Sequence, residues 1–187
     1  MEHMTADIYY REWDGRSGSH RYLETVIKDY FKTRGRSCPG NLTYKRKGEF
    51  GKPFIEELPE LSFSISHSGK WWFCAVSETE VGLDVQELRA VKQEKLARRF
   101  FHPDEISWME TYGFEHFTRI WTYKESYVKY TGLGLTRGMD YFSVADILTG
   151  ELGEKGVCQQ EIPFWDDFWV VLTAGHKVEI KKILFTE

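Results

Sequence analysis

The strongest constraint on the fold is a strict alternation of apolar residues with serines. In LSFSISHS, Leu61, Phe63, Ile65 and His67 alternate with the serines at positions 62, 64, 66 and 68. Because successive side chains of a β-strand point to opposite faces, this pattern predicts a strand with one apolar face and one hydroxyl-bearing face. The chain must therefore bury one side of a sheet at this point.

Two strand-like segments follow it directly. Residues 71–76, WWFCAV, are apolar on both faces, which is typical of a central strand. In residues 81–86, VGLDVQ, the three apolar side chains face one way, so Gly82, Asp84 and Gln86 face the other. Composition and turn residues predict further short strands at 7–13, 141–147, 157–162, 168–174 and 178–185.

Helical spacing of apolar residues predicts helices at 20–33, 92–101, 104–113 and 117–132, the last ending at Gly132. The order of helices and strands lacks regular βαβα alternation, so the fold class is α+β. Two regions, 1–87 and 88–187, each show a helix followed by strands. We expect these to be the two halves of the chain.

Charge, cysteines and hydropathy exclude several classes of protein. The chain has 187 residues and a formal net charge of −4, which argues against a general nucleic-acid binder but leaves room for a local basic pocket. Cys38, Cys74 and Cys158 form no C-x-x-C pair, so neither a disulfide framework nor a thiolate zinc site is indicated. With no apolar run long enough for a signal peptide or a membrane span, we expect a cytoplasmic protein without a membrane partner.

Three polar residues lie at positions typical of ligand-binding or catalytic side chains, and each also has a purely structural interpretation. Glu125 lies at the edge of an apolar helix face, where it either needs a cation or forms a surface pair with Lys129. Asp84 lies within a strand, either at a solvated face or as a ligand for a hard cation with Gln86 beside it. His67, at the end of its apolar row, is either a core residue or part of a phosphate site.

The order of motifs adds to these single observations. The chain carries Gly51-Lys52-Pro53, then FSISHS at 63–68, VGLDVQ at 81–86 and WTYKESYVK at 121–129, followed by GLGL at 132–135. From His20 to Val144 this series resembles the 4′-phosphopantetheinyl transferases, specifically the larger surfactin-synthetase-activating type. The two signature blocks, G-x-D-x-(E) and W-x-x-K-E-(S)-x-x-K, lie about 40 residues apart, and this combination is highly specific.

The resemblance implies a fold, an activity and partners. The fold is an intramolecular pseudodimer of two similar α/β halves, with coenzyme A in the cleft between them, and the chain is expected to be a monomer. The activity is transfer of 4′-phosphopantetheine from coenzyme A to a serine of an acyl or peptidyl carrier protein, with Mg²⁺ or Mn²⁺. Which carrier and which biosynthetic route it serves stay open.

The resemblance also implies roles for individual residues. Asp84 and Glu125 match the metal ligands, and Gln86 stands at the third metal position, where the family pattern has an acid. Asp84, Glu125 and Lys129 are the expected catalytic residues, with Glu125 taking the serine proton directly or through a water. The expected coenzyme A contacts are Arg21, Lys52, Pro53, Ser66, His67, Lys124 and Lys129.

Two departures from the family pattern keep a second reading open. Gln86 removes one negative charge from the metal site. Only 20 residues precede Arg21, which is short for this class, so we expect some adenine contacts to be missing or rebuilt. A degenerate, non-catalytic module that binds coenzyme A or a carrier protein is the alternative. A purely structural α+β module is a further one, but it leaves the spacing of the motifs unexplained.

A carrier protein is expected to dock near residues 100–117. This segment contains several large apolar side chains that we expect to be exposed, unless they pack in the core instead. They are Ile106, Trp108, Met109, Phe114 and Phe117.

Overall fold

The computed structural model describes residues 4–13, 19–47, 51–89, 92–134, 138–148 and 156–186. Within these ranges the first part of the chain forms β1 (Thr5–Glu12), α1 (Ser19–Thr33), β2 (Tyr44–Arg46), β3 (Pro53–Ile55), β4 (Ser62–Ser68), β5 (Trp71–Ser77) and β6 (Val81–Glu87). The second part forms α2 (Gln93–Phe100), α3 (Pro103–Tyr112), a 3₁₀ turn (Phe114–His116), α4 (Phe117–Thr131), α5 (Ala145–Leu148), β7 (Cys158–Glu161), β8 (Phe168–Ala174) and β9 (Glu179–Leu184).

The longer strands form two sheets. The first has the order β4-β5-β1-β9, and the second has the order β6-β8-β7. All neighbours are antiparallel except β1 and β9, which run parallel. β5 lies between β4 and β1, as its two apolar faces predict. The mixed α+β class is confirmed.

Three apolar clusters stack these elements in layers. The first packs α1 against one face of the first sheet, with Leu23, Ile27 and Trp72 among its buried members. The second lies between the two sheets, where Phe73 meets Leu83. The third packs α2, α3 and α4 against the outer face of the second sheet. The order of layers is therefore α1, the first sheet, the second sheet, and the helices α2 to α4.

The ends of the helices follow local rules. Pro103 begins α3, and the preceding His102 caps it: His102 Nδ1 accepts the backbone N–H of Asp104, and the Glu105 carboxylate accepts the backbone N–H of His102. α4 ends at Gly132, whose φ of 69° is the left-handed conformation that glycine adopts without strain. The predicted end of this helix is confirmed.

Some predictions for the later part of the chain are wrong. The segment 141–147 was expected to be a strand, but Ala145–Leu148 is a short helix, and Phe142 and Val144 are buried beneath it beside α4. Burial of alternate apolar residues produced a strand-like pattern without a strand. Within the expected docking segment, Met109 and Phe117 are core residues, because they belong to the apolar cluster that packs α2, α3 and α4 against the second sheet.

Both sheets combine elements from distant parts of the chain. β6, from the first half, belongs to the sheet of β7 and β8, and the C-terminal strand β9 returns to pair with β1. The division at residue 87 and the similarity of the two halves stay predictions. In the described part of the chain, none of the helices combines the length and the apolar character that a membrane crossing requires.

Candidate functional site

The two sheets meet through the serine face of β4. Each serine hydroxyl of this strand accepts a backbone N–H of β6, at distances of 2.8 to 3.2 Å. The pairs are Ser62 with Val81, Ser64 with Leu83, Ser66 with Val85, and Ser68 with Glu87. These side chains satisfy alternate donors on the edge of β6 that a neighbouring strand would otherwise take. The alternation in the sequence thus encodes a junction between sheets.

Gly82 lets α4 lie directly on the other face of β6. A Cβ atom at this position would stand 2.2 Å from the carbonyl oxygen of Ser126 and 2.3 Å from the backbone nitrogen of Tyr130. No side chain fits in that space, so the helix and the strand touch through their backbones. Asp84 and Gln86, on the same face as Gly82, are consequently brought beside α4.

Asp84 is the centre of a polar cluster at this contact. Its Oδ1 accepts hydrogen bonds from Lys129 Nζ at 2.7 Å and from Ser66 Oγ at 2.9 Å. Its Oδ2 accepts one from Gln86 Nε2 at 2.9 Å. The Asp84 side chain is buried, so these partners compensate for its removal from water. Ser66 and Lys129, which are 18 and 45 residues from Asp84 in the chain, thus converge with the neighbouring Gln86 on one carboxylate.

Glu125 is the second carboxylate of the cluster. It lies one turn before Lys129 on α4 and is half-buried. Within the described residues its side chain has no hydrogen-bond or ion-pair partner. Burial, and then the negative charge of Asp84, raise the pKa of Glu125 to about 7, although Lys129 opposes this shift. At neutral pH the group is poised between its two protonation states.

This pair of carboxylates fits a hard divalent cation. Magnesium sites in proteins commonly combine one or two carboxylates with water and substrate phosphates, and a cation would relieve the repulsion that raises the pKa of Glu125. Gln86 adds no charge, and its amide nitrogen is directed to Asp84. Among the described residues there is no group of three or more His, Cys, Asp or Glu side chains that could hold a metal. The two carboxylates of Asp84 and Glu125 are therefore the candidate anionic ligands of this site.

A cleft of about 570 Å³ opens beside Glu125 and runs between α1, β4 and α4. Among the described residues, the side chains that line it include the cations Arg46, Lys52 and Lys129 and the carboxylate of Glu125. Pro53 and His67 also border it. Lys52 is paired with Glu80 and Lys129 with Asp84, and a ligand with several phosphates can replace these carboxylates as the partner of the two ammonium groups.

Lys52 is held at one end of this cleft. Its ammonium forms an ion pair with Glu80 and donates a hydrogen bond to the carbonyl oxygen of Val81. Burial lowers the pKa of Lys52, and Glu80 opposes the shift. The backbone and Cβ of Lys52 also lie 3.0 to 3.6 Å from the place where Gly132 would carry a Cβ. The Gly-Lys-Pro motif is thus placed against the end of α4.

Two of the residues expected to contact coenzyme A, Ser66 and Arg21, are not among the residues that line the cleft. Ser66 is buried, and its hydroxyl binds Val85, Asp84 and Lys129 instead of lining the cleft. Arg21 is exposed on α1, two residues before the lining residue Leu23. The structure thus brings Lys52, Pro53, His67, Glu125 and Lys129 to the cleft, with Asp84 and Ser66 behind Lys129.

The structure does not bring Lys124 to the cleft. Its side chain is fully buried and pairs with the equally buried Glu105, with Nζ 2.6 Å from Oε1. It also donates to the carbonyl oxygen of Phe142 at 2.5 Å and lies over the ring of that residue. Glu105 in turn accepts the backbone N–H groups of His102 and Val144. Lys124 therefore ties α4 to α3 and to residues 142–144.

Trp13 and Arg46 are among the lining residues of the cleft to which the sequence analysis assigned no site role. Arg46 stood in a noted basic run, Lys45 to Lys47, which was a usable signal. The sequence contained no such signal for Trp13. This residue follows β1, and β5 separates β1 from β4 in the sheet, so the sequence does not show that Trp13 lies near the end of β4.

Comparison with known proteins gives a family match over this part of the chain. A family model described as the 4′-phosphopantetheinyl transferase superfamily matches residues 80–173, which is half of the chain. The matched region includes β6, α4 and β8, and so contains Asp84, Glu125 and Lys129.

Individual relatives extend the similarity. The 4′-phosphopantetheinyl transferase Sfp of Bacillus subtilis (strain 168) is 38% identical over 159 residues, covering 82% of this chain and 67% of the relative. A 4′-phosphopantetheinyl transferase of Bacillus subtilis is 39% identical over 100 residues, covering 51% of this chain and 44% of the relative. The gsp protein of Aneurinibacillus migulanus, a 4′-phosphopantetheinyl transferase, is 38% identical over 116 residues, covering 60% of this chain and 47% of the relative. The matches span from under half to two thirds of these relatives' lengths.

Proposed function

Because this chain belongs to the 4′-phosphopantetheinyl transferase superfamily, we propose that it moves the 4′-phosphopantetheine group of coenzyme A to a serine of an acyl or peptidyl carrier protein. The serine oxygen forms a new bond to phosphorus, and the bond from that phosphorus to the adenosine-bearing phosphate breaks. Adenosine 3′,5′-bisphosphate leaves with the electron pair. The observation that carries the proposal is the convergence of Asp84, Glu125 and Lys129 beside a cationic cleft.

Lys129 is proposed to bind the phosphates during this reaction. Its ammonium stands at the boundary between Asp84 and the cleft, half-buried, and can leave Asp84 Oδ1 for a ligand phosphate. That movement frees the Asp84 oxygen and places positive charge where the leaving phosphate accumulates negative charge. Lys52 and His67, farther along the cleft wall, would hold the remaining phosphates and mainly affect KM.

Glu125 is proposed to take the serine proton. It lines the cleft, and its carboxylate has no hydrogen-bond or ion-pair partner among the described residues, so it can accept a proton there. Asp84 and Glu125 are also the residues that would hold Mg²⁺ or Mn²⁺. When bound, the ion would neutralise charge on the pyrophosphate oxygens. Removal of either carboxylate should therefore depress kcat.

The docking face for the carrier is proposed to include α2 as well as the half-exposed part of α3. A second cleft of about 280 Å³ is lined by Leu96, Phe100 and Trp121, with Gln86 at its floor beside the Asp84 cluster. Between residues 88 and 100 the chain has one acidic side chain and five cations, which are Arg89, Lys92, Lys95, Arg98 and Arg99. An acidic carrier protein complements this face in charge and in apolar contact.

The test is the intact mass of an apo-carrier protein after incubation with this protein, coenzyme A and Mg²⁺. We expect the carrier to gain one 4′-phosphopantetheine group. Glu125→Ala or a chelator should abolish the gain, whereas Glu179→Ala, which removes an exposed carboxylate on β9, should not.

A non-catalytic binding module is the alternative, and the neutral Gln86 beside Asp84 is the observation in its favour. Its signature is binding of coenzyme A without modification of acyl or peptidyl carriers, with Mg²⁺ and with Mn²⁺. Gain of activity in Gln86→Glu would then identify the missing charge as the cause.

A further inference from the structure

Ser66 is the serine of β4 that reaches the carboxylate cluster. Like the other serines of this strand, it accepts a backbone N–H of β6, in its case from Val85 at 3.1 Å. Its hydroxyl also donates to Asp84 Oδ1 at 2.9 Å and accepts a hydrogen bond from Lys129 Nζ at 2.9 Å. Ser66 is only 5% exposed, so all three contacts are shielded from water.

These three contacts use the full hydrogen-bonding capacity of the Ser66 hydroxyl. A serine hydroxyl has one proton to donate and two lone pairs that accept. The proton is directed to Asp84, because an ionised carboxylate can only accept, and the lone pairs take the donors of Val85 and Lys129. The anionic oxygens of a phosphate also only accept. A phosphate could therefore bind this hydroxyl only by taking its proton away from Asp84.

Strand geometry separates Ser66 from the neighbouring His67. Successive side chains of a strand point to opposite faces. His67 is exposed and lines the cleft, whereas Ser66 is buried and is not among the lining residues. The resemblance to the family implied a coenzyme A contact for both residues. Their opposite directions require a different role for each.

A fixed partner for Asp84 becomes important when Lys129 binds a phosphate. Under the proposed function, Lys129 turns from Asp84 Oδ1 to the ligand, so Asp84 loses the ammonium that neutralises it. The Ser66 hydroxyl then remains on Oδ1 and the Gln86 amide on Oδ2. Because Ser66 is a short side chain that is tied to the backbone of Val85, it can hold the orientation of the carboxylate while Lys129 moves.

We infer that Ser66 is a positioning residue, whose hydroxyl holds Asp84 in its catalytic orientation and does not bind coenzyme A. The inference rests on the proposed function, since it assumes that Asp84 and Lys129 act in the group transfer. It assigns to Ser66 a contact inside the protein in place of a ligand contact. Loss of the hydroxyl should therefore lower kcat and leave the binding of coenzyme A unchanged.

The experiment compares Ser66→Ala with Ser68→Ala. Ser68 is the matched control because its hydroxyl accepts the backbone N–H of Glu87 at 2.9 Å, on the same face of β4, without contacting Asp84. For each folded variant, kcat is measured with an apo-carrier protein and the Kd for coenzyme A by calorimetry. Urea denaturation, with and without Asp84→Asn, measures the coupling of each serine to Asp84 independently of activity.

We expect Ser66→Ala to lower kcat about tenfold or more, as for a lost hydrogen bond to a charged group, and to change the Kd for coenzyme A by less than about twofold. Ser68→Ala should change neither quantity. In the unfolding equilibrium constant, Ser66→Ala and Asp84→Asn should be coupled about tenfold, whereas Ser68→Ala and Asp84→Asn should be additive.

Three results would overturn the inference and leave the proposed function intact. They are weaker binding of coenzyme A with normal kcat in Ser66→Ala, equal losses of kcat in the two serine variants, and additive effects of Ser66→Ala and Asp84→Asn on unfolding. Failure of the folded wild-type protein to modify any acyl or peptidyl carrier would overturn the proposed function, and with it the catalytic role of Ser66, even where the coupling to Asp84 is measured.

Discussion

Lys129 Nζ lies 2.7 Å from Asp84 Oδ1, across the contact of α4 with β6, and Glu125 stands one helical turn before Lys129. A single ammonium therefore serves two carboxylates. Asp84 takes the direct hydrogen bond, and Glu125 receives only the longer-range attraction, which is too weak to offset its burial. This unequal division of one positive charge leaves Glu125 with a pKa near neutrality.

Substitutions of Asp84 and of Lys129 should move the pKa of Glu125 in opposite directions. Asp84→Asn removes the negative charge that helps raise this pKa, so the value should fall below about 7. Lys129→Met removes the opposing positive charge, so the value should rise. Carboxyl carbon chemical shifts followed against pH in metal-free protein measure both. Asp166→Asn, at an exposed position in the turn before β8, is the control and should cause no shift.

The raised pKa of Glu125 also predicts how stability depends on pH. Its folded value of about 7 exceeds the ordinary value of 4.5, so the folded state holds the extra proton between these two pH values. The contribution of Glu125 to stability is therefore lost as pH rises from about 4.5 to 7. Glu125→Gln should raise Tm relative to wild type above pH 7 and leave it unchanged near pH 4. A difference in Tm that stays constant across this range would contradict the assignment.

The buried pair of Lys124 and Glu105 should be important for stability. Removing one partner leaves a buried charge without compensation, so Lys124→Met or Glu105→Gln should each lower the free energy of unfolding by about 3–5 kcal/mol. The double variant should recover part of this loss, which urea denaturation and a double-mutant cycle measure. The exposed pair of Lys28 and Glu24 is the matched control and should show little coupling. Additive losses at Lys124 and Glu105 would contradict the pairing.

Gly82→Ala tests the close contact between β6 and α4. The added methyl group would overlap the backbone of Ser126 and Tyr130, so the helix must move away from the strand. We expect a loss of about 1–3 kcal/mol in stability, as for overpacked cores, together with a lower kcat, because Asp84 and Glu125 separate. Gly40→Ala is the control, since its Cβ would have no neighbour within 4 Å. A folded Gly82→Ala protein with normal kcat would refute the link between this contact and catalysis.

Charge reversal on α2 tests the docking face. Lys95 and Arg99 are exposed, so Lys95→Glu with Arg99→Glu should raise the KM for an acidic carrier protein about tenfold or more, while the KM for coenzyme A stays the same. The same change of charge at Lys177 and Lys181, which are exposed near β9, should have little effect. Equal effects of the two double variants would point to net charge instead of a docking face. Met109 is unsuitable for this test because it is a core residue.

Much of the site could be predicted from the sequence because its residues lie in strongly patterned elements. The alternation in β4 and in β6 defined which side chains share a face, and the structure places Gly82, Asp84 and Gln86 together against α4. The ends of α4 followed from apolar spacing and from Gly132. The motifs between Gly51 and Gly134 also supported the family, which the comparisons confirm.

The sequence could not predict which charges meet. Lys124 and Lys129 are both lysines of one helical signature, but Lys124 is buried with Glu105 and Lys129 reaches Asp84. Their positions on the helix differ by five residues, and only the packing of α3 and β6 on opposite sides of α4 gives them different partners. Likewise, the serines of β4 were visible as a face, but their role as acceptors for the backbone of β6 depends on the second sheet.

The sequence by itself determined the α+β class, the main helices and strands, and the residue types that the site contains, because these depend on local periodicity and short motifs. The tertiary structure alone decided that Trp13 meets His67, that one ammonium is shared by Asp84 and Glu125, and that Glu105 neutralises Lys124. Each of these relationships joins elements that are distant in the chain. Their energies depend on burial and on distances between charges, which exist only after the sheets and helices have packed.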